Sequence, residues 1–199
     1  MKTYGGGEGR GILLAAVVAT TCAAACGASL GGIADARDEG DIQTLLEYMG
    51  PEQYSYVRRH TVLAFRRMGA APRDARVVQA VHACIASPTE RPYVRAECAL
   101  TAAAWGNPAS AAVIIAALPN VGDGELRYWM ATALVEFDLP EVWATIEQLR
   151  DDPDFLVYTA ARDWTEKRQA QPSAEAPQVT EDAPVEPAPG TVVPEEVAG

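Results

Sequence analysis

Eight prolines punctuate residues 35–168 of this chain: Pro51, Pro72, Pro88, Pro92, Pro108, Pro119, Pro140 and Pro153. Between them the apolar residues recur at helical spacing rather than alternating as in a strand. Proline cannot sit inside a helix without removing a hydrogen bond and colliding with the preceding turn. The prolines therefore mark boundaries, and eight helices are expected over 38–49, 54–68, 73–86, 92–105, 108–118, 124–137, 140–150 and 155–168, with no sheet. Helices this short cannot each bury an apolar stripe alone.

The helices pair, and the second members align. Tyr56-Val57-Arg58, Tyr93-Val94-Arg95, Glu125-Leu126-Arg127 and Phe155-Leu156-Val157 open them, with aliphatic starts 37, 32 and 30 residues apart. Small or branched residues follow (Val62, Ala99, Ala131, Ala161), then Met68, Trp105, Phe137 and, breaking the pattern, Lys167. Gly69 and Gly106 stand where a left-handed C-cap is expected. Val94, Cys98, Ala102 and Trp105 share one helical face, as do Val77, Val81, Cys84 and Ile85. A period of this size with two helices per unit predicts an all-α solenoid of four hairpins, stacked into one core.

YVRRHTVLAFRRMG at 56–69 and YVRAECALTAAAWG at 93–106 resemble the second helix of HEAT-like repeats, most closely the short bacterial type also found in phycobilin lyases. The resemblance covers 35–168 and implies a right-handed αα-superhelix. It implies nothing definite about activity. The fourth unit departs from the pattern, because Val157 replaces the arginine and no glycine closes the helix.

Arg58, Arg95 and Arg127 fall in first turns, where the helix dipole disfavours cations. Carboxylate partners such as Asp74, Glu97 or Asp123 are expected for them. A second basic feature is local: Arg58, Arg59, Arg66, Arg67, Arg73 and Arg76 lie between 55 and 76, opposed there only by Asp74. They form either an ordinary solvated face or an anion- or partner-docking patch, for which arginine's planar fork suits phosphate and carboxylate.

Cys84 and Cys98 lie at similar heights on facing helices. They are either disulfide-bonded or two buried thiols. His60 and His82, the only histidines, occupy unrelated repeat positions and are not followed by glutamate, so no metal site is expected. No nucleophile elbow, phosphate loop or dinucleotide motif is present. Neither a catalytic constellation nor a cofactor is expected.

The two ends differ from the middle. Lys2 and Arg10 precede the uncharged run 11–25, and Ala23-Ala24-Ala25 leads into Cys26. A basic start, an apolar run and a small-residue site describe an export signal. The site resembles the lipobox of bacterial lipoproteins, which implies cleavage before Cys26, lipidation of its thiol, and retention at the outer membrane facing the periplasm, since Gly27 is not Asp. Cys22 is a poorer second candidate. An uncleaved inner-membrane anchor and ordinary cleavage after Ala25 are the alternatives. Residues 26–34 then read as a flexible linker. Residues 169–199 carry six prolines and six acids without lysine, arginine, aromatic or leucine, a composition expected to stay disordered.

The formal net charge of −11 excludes a general nucleic-acid binder, which needs a basic footprint. The sequence thus predicts a non-catalytic, lipid-anchored envelope scaffold, monomeric or within a hetero-complex. It would bind a protein or peptide through the surface of its second helices. An enzyme or enzyme subunit related to bilin lyases, and an envelope lipoprotein acting through its tail, are the alternatives.

Overall fold

The computed structural model describes residues 28–69 and 71–170, which form nine α-helices and no strand. The expected signal segment 1–25, Cys22, Cys26 and the expected tail lie outside the described residues, except that Gln169 and Ala170, placed in the tail by composition, are helical. In order, the helices are α1 Leu30–Glu39, α2 Ile42–Tyr48, α3 Ser55–Arg67, α4 Ala75–Ala86, α5 Pro92–Ala104, α6 Pro108–Ala117, α7 Gly124–Leu134, α8 Pro140–Gln148 and α9 Phe155–Ala170.

Local chemistry sets these boundaries. Pro92, Pro108 and Pro140 each occupy the first turn of a helix, where a missing N–H costs nothing. Asp41, Asp74, Asn107 and Asp123 cap α2, α4, α6 and α7 by accepting a first-turn backbone N–H. Gly106, with φ of +67°, ends α5 as expected. Gly69 does not take a left-handed conformation: α3 ends instead at Met68, whose backbone turns extended.

Three expectations are corrected at the edges. The helix expected over 38–49 starts only at Ile42, and a separate helix, α1, precedes it and ends at Glu39, because Gly40 (φ +73°) and the Asp41 cap break the chain between them. Residues 28–34 are not all linker: Ser29 caps α1, and Ala28 and Ile33 are buried. The fourth repeat is also shifted by one residue. Val157, not Leu156, is the buried aliphatic on the third position after the cap, matching Val57, Val94 and Leu126. Tyr158 therefore occupies the arginine position.

The second helices α3, α5, α7 and α9 pack side by side in one layer, and α2, α4, α6 and α8 form the other. Helix α1 packs on α3 and extends the second-helix layer by one member at its start. A large apolar core runs from Val62 and Val81 to Ala161, and a smaller one fills the first hairpin around Leu45, Val57, Phe65 and Val77. Met49 and Trp105 touch both, so the core is continuous. Alanines at Ala96, Ala99, Ala102 and Ala103 keep α5 thin, so its neighbours approach closely on both sides.

Candidate functional site

The arginine position of each second helix performs one structural task in two repeats and a variant of it in a third. Arg58 grips Glu90 of the next hairpin's loop with two bonds, Nε to Oε2 at 2.7 Å and Nη2 to Oε1 at 2.8 Å, and also donates to the Gln53 carbonyl of its own loop. Arg127 repeats this arrangement. It donates to Asp152 at 2.9 and 2.7 Å and to the Val121 carbonyl at 2.9 Å. Arg95 has no carboxylate partner among the described residues. It is buried and donates Nε to the Ile85 carbonyl at 3.0 Å, closing the C-terminal end of α4, where the helix dipole favours a cation. The partners expected from adjoining turns are thus replaced by acids in the loop of the following repeat.

These loop acids titrate low. Burial alone would raise Glu90, but the hydrogen bonds and charge of Arg58, with the N–H of Arg91, bring it below its ordinary value. Asp152 behaves the same way: burial opposes ionisation, and Arg127 and the Asp154 N–H more than offset it.

The six-arginine stretch does not form one free cationic face. Arg58 is engaged as above. Arg66 donates Nη2 to Glu97 Oε1 at 2.5 Å and Nε to Thr101 Oγ1 at 3.2 Å, and Arg59 lies 3.5 Å from the other Glu97 oxygen. Arg76 pairs with Asp74 and reaches Gln43. Only Arg67 and Arg73 have no ion pair among the described residues. The acids that neutralise the stretch, Glu90 and Glu97, lie about one repeat further along the chain, outside any local count of charge.

Cys84 on α4 and Cys98 on α5 are joined by a disulfide, with a Cα separation of 6.5 Å. His82 is half-buried against Ser110 of α6, its Nε2 2.9 Å from the hydroxyl oxygen, and burial lowers its pKa. Ser110 is fully buried in the first-helix layer, so this pair is a packing contact. His60 is exposed, beside Arg37 and Arg67. No group of histidine, cysteine or acidic residues among the described residues is arranged to hold a metal. Among the same residues, no helix is long and apolar enough to cross a membrane.

The feature with binding geometry was not singled out by sequence reasoning. A groove of about 420 Å³ opens between α5 and α7 on the second-helix layer. Ala96, Leu100 and Leu126 form its apolar lining, Tyr93 and Trp129 stand exposed at 45% and 37%, and Asp123, Glu125 and Arg59 complete its rim. A repeat alignment does contain the signal. Counting from each helix cap, Arg59 and Arg66 of α3 correspond to Ala96 and Ala103 of α5, and Glu97 of α5 corresponds to Trp129 of α7. The seam between α3 and α5 is closed by two arginines and a buried glutamate. At the next seam the same positions hold two alanines and a tryptophan.

Comparison with known proteins agrees with this architecture. Residues 78–163 match the family model described as HEAT repeats, a stretch from within α4 into α9. The fold is an all-α solenoid of stacked hairpins, and residues 78–163 of it are similar to HEAT repeats. No curated protein matches the sequence significantly.

Proposed function

We propose that this protein is a non-catalytic interaction scaffold that holds a protein or peptide segment in the α5–α7 groove. The observation that carries this reading is the groove itself. It places an apolar lining beside two exposed aromatic rings, next to a seam closed by ion pairs. Tyrosine and tryptophan of this kind are the usual anchors of protein interfaces. HEAT-like solenoids offer such extended surfaces, while fold alone does not assign a ligand. Two of the acids around the groove have structural employment: Glu97 is held by Arg59 and Arg66, and Asp123 caps α7. They are not aimed at a common reacting atom, which favours binding over catalysis.

The proposed setting is the bacterial cell envelope, with the domain tethered through a lipidated Cys26. The lipobox-like residues before Cys26 support it, and so does the Cys84–Cys98 bond, since disulfides persist in oxidising compartments. Two measurements test the proposal. Mass spectrometry of the mature N-terminus should find a modified Cys26; an unmodified one refutes the anchor. A photo-crosslinking residue at Trp129 of the full chain in cells should capture a discrete protein adduct that one at Glu52, outside the groove, does not. Equal labelling from both positions refutes the groove.

A further inference from the structure

The groove has a chemical polarity that names the kind of segment it takes. At the end formed by the first turns of α5 and α7 lie Tyr93, Asp123 and Glu125, and deeper along α5 lies Leu100 opposite Trp129. Asp123 uses Oδ1 to cap α7 at 2.8 Å from the Leu126 N–H, while its side chain remains exposed. Glu125 is exposed, and its one contact is a long bond of 3.5 Å from the Trp129 indole N–H. That bond orients the indole and carboxylate side by side. Arg127, the nearest cation in sequence, is turned away toward Asp152 and the Val121 carbonyl and leaves the two acids without an ion pair among the described residues. On the other side, Arg59 is drawn toward Glu97, whose charge Arg66 also shares.

We infer that the groove recognises a cationic peptide segment, with a lysine or arginine seated between Tyr93, Trp129, Asp123 and Glu125 and an apolar residue resting on Leu100 and Leu126. This deepens the binding reading above and rests on it. A cation over an aromatic face beside a carboxylate gains from both the ring quadrupole and the charge, and the apolar wall of Ala96, Leu100 and Leu126 strengthens each. An acidic segment would meet two carboxylates without an ion pair, and Arg59 is its only counterweight. Charge complementarity therefore selects the basic occupant.

Selection of random peptides displayed on phage against the immobilised full chain tests this. Enriched peptides should carry net positive charge with an adjacent apolar residue. A synthetic enriched peptide should bind about tenfold more weakly to Asp123→Ser/Glu125→Gln, in which serine keeps the helix cap, and weaken as salt rises. Removal of the same charge elsewhere, in Glu39→Gln/Glu52→Gln, should leave binding unchanged. Peptides that lose affinity for Trp129→Ala but carry no positive charge, or that bind Asp123→Ser/Glu125→Gln as well as wild type, overturn the cationic inference and leave the groove standing. If no peptide is enriched, or the enriched ones bind Trp129→Ala and Leu100→Glu undiminished, the groove reading itself fails, provided both variants keep the wild-type thermal midpoint.

Discussion

The seams α3–α5 and α5–α7 occupy the same place in successive repeats and have opposite chemistry. The first is cross-linked by Arg59, Arg66 and a Glu97 only 7% exposed. The second has Ala96, Ala103 and Trp129 at the corresponding positions and stands open. A third solution appears between α7 and α9, where Tyr128 stacks on Trp164 with ring centres 6.2 Å apart. A solenoid keeps its fold through the buried aliphatics of each repeat, so the outward positions of the second helices are free to differ. Of these three seams, one is locked by charge, one by rings, and one is left available.

The largest effect expected is in the closed region. Phe65→Ala removes a fully buried ring from the core of the first hairpin and should cost about 3–5 kcal/mol, whereas Leu100→Ala in the half-open groove should cost roughly 1 kcal/mol. Chemical denaturation of both variants measures the contrast, and equal losses would mean the groove is packed shut in solution. Reduction of the Cys84–Cys98 bond, or its replacement by two serines, should cost about 3 kcal/mol through the loop it closes. An unchanged denaturation midpoint under reductant would show that the two thiols are free in the native protein.

Exchanging the chemistry of the seams is the most direct way to break the comparison. Ala96→Arg/Trp129→Glu places the Arg59 and Glu97 positions of the first seam in the second. It should abolish peptide capture at a cost of about 1–3 kcal/mol, since Ala96 is only 7% exposed and the arginine must displace its neighbours. Retained capture would show that the open seam owes its binding to other residues.

Acid should act on the closed loops. Glu90 and Asp152 have folded pKa values below their ordinary ones, so their contribution to stability is present above about pH 4 and is lost as pH falls through the lowered values. His82 adds a milder loss at higher pH. Its pKa is lowered by burial, so its contribution is present above about pH 6.5 and declines as pH falls below that. Glu90→Gln should flatten the acid limb and His82→Gln the limb near neutrality; coincident pH profiles for these variants and wild type would contradict both assignments. The smallest effect is expected from Arg59→Ala. Its half-exposed side chain sits 3.5 Å from Glu97 and should contribute under about 0.5 kcal/mol.

Much of the architecture was legible in the chain. Proline positions and aliphatic starts located seven second- and first-helix members closely, because backbone rules at Pro92, Pro108 and Pro140 act locally. The N-terminal helix was missed because its apolar content is weak and Gly31 and Gly32 read as linker. Ala28 and Ile33 become core only against the first hairpin. The one-residue slip in the fourth repeat arose because Leu156 and Val157 are both aliphatic, and only burial distinguishes them.

The site was less legible, and for one reason. A charge run such as Arg58 to Arg76 looks unopposed when counted along the chain, since Glu90 and Glu97 are far off in sequence and adjacent in space. Periodicity, caps and small residues by themselves determined that this chain stacks helical hairpins, because those signals act within a turn or two. Stacking decided which arginines are spent on buried acids and which seam stays open between Tyr93 and Trp129. Ion pairing and groove formation depend on side chains brought together from different repeats, and no local pattern encodes that meeting.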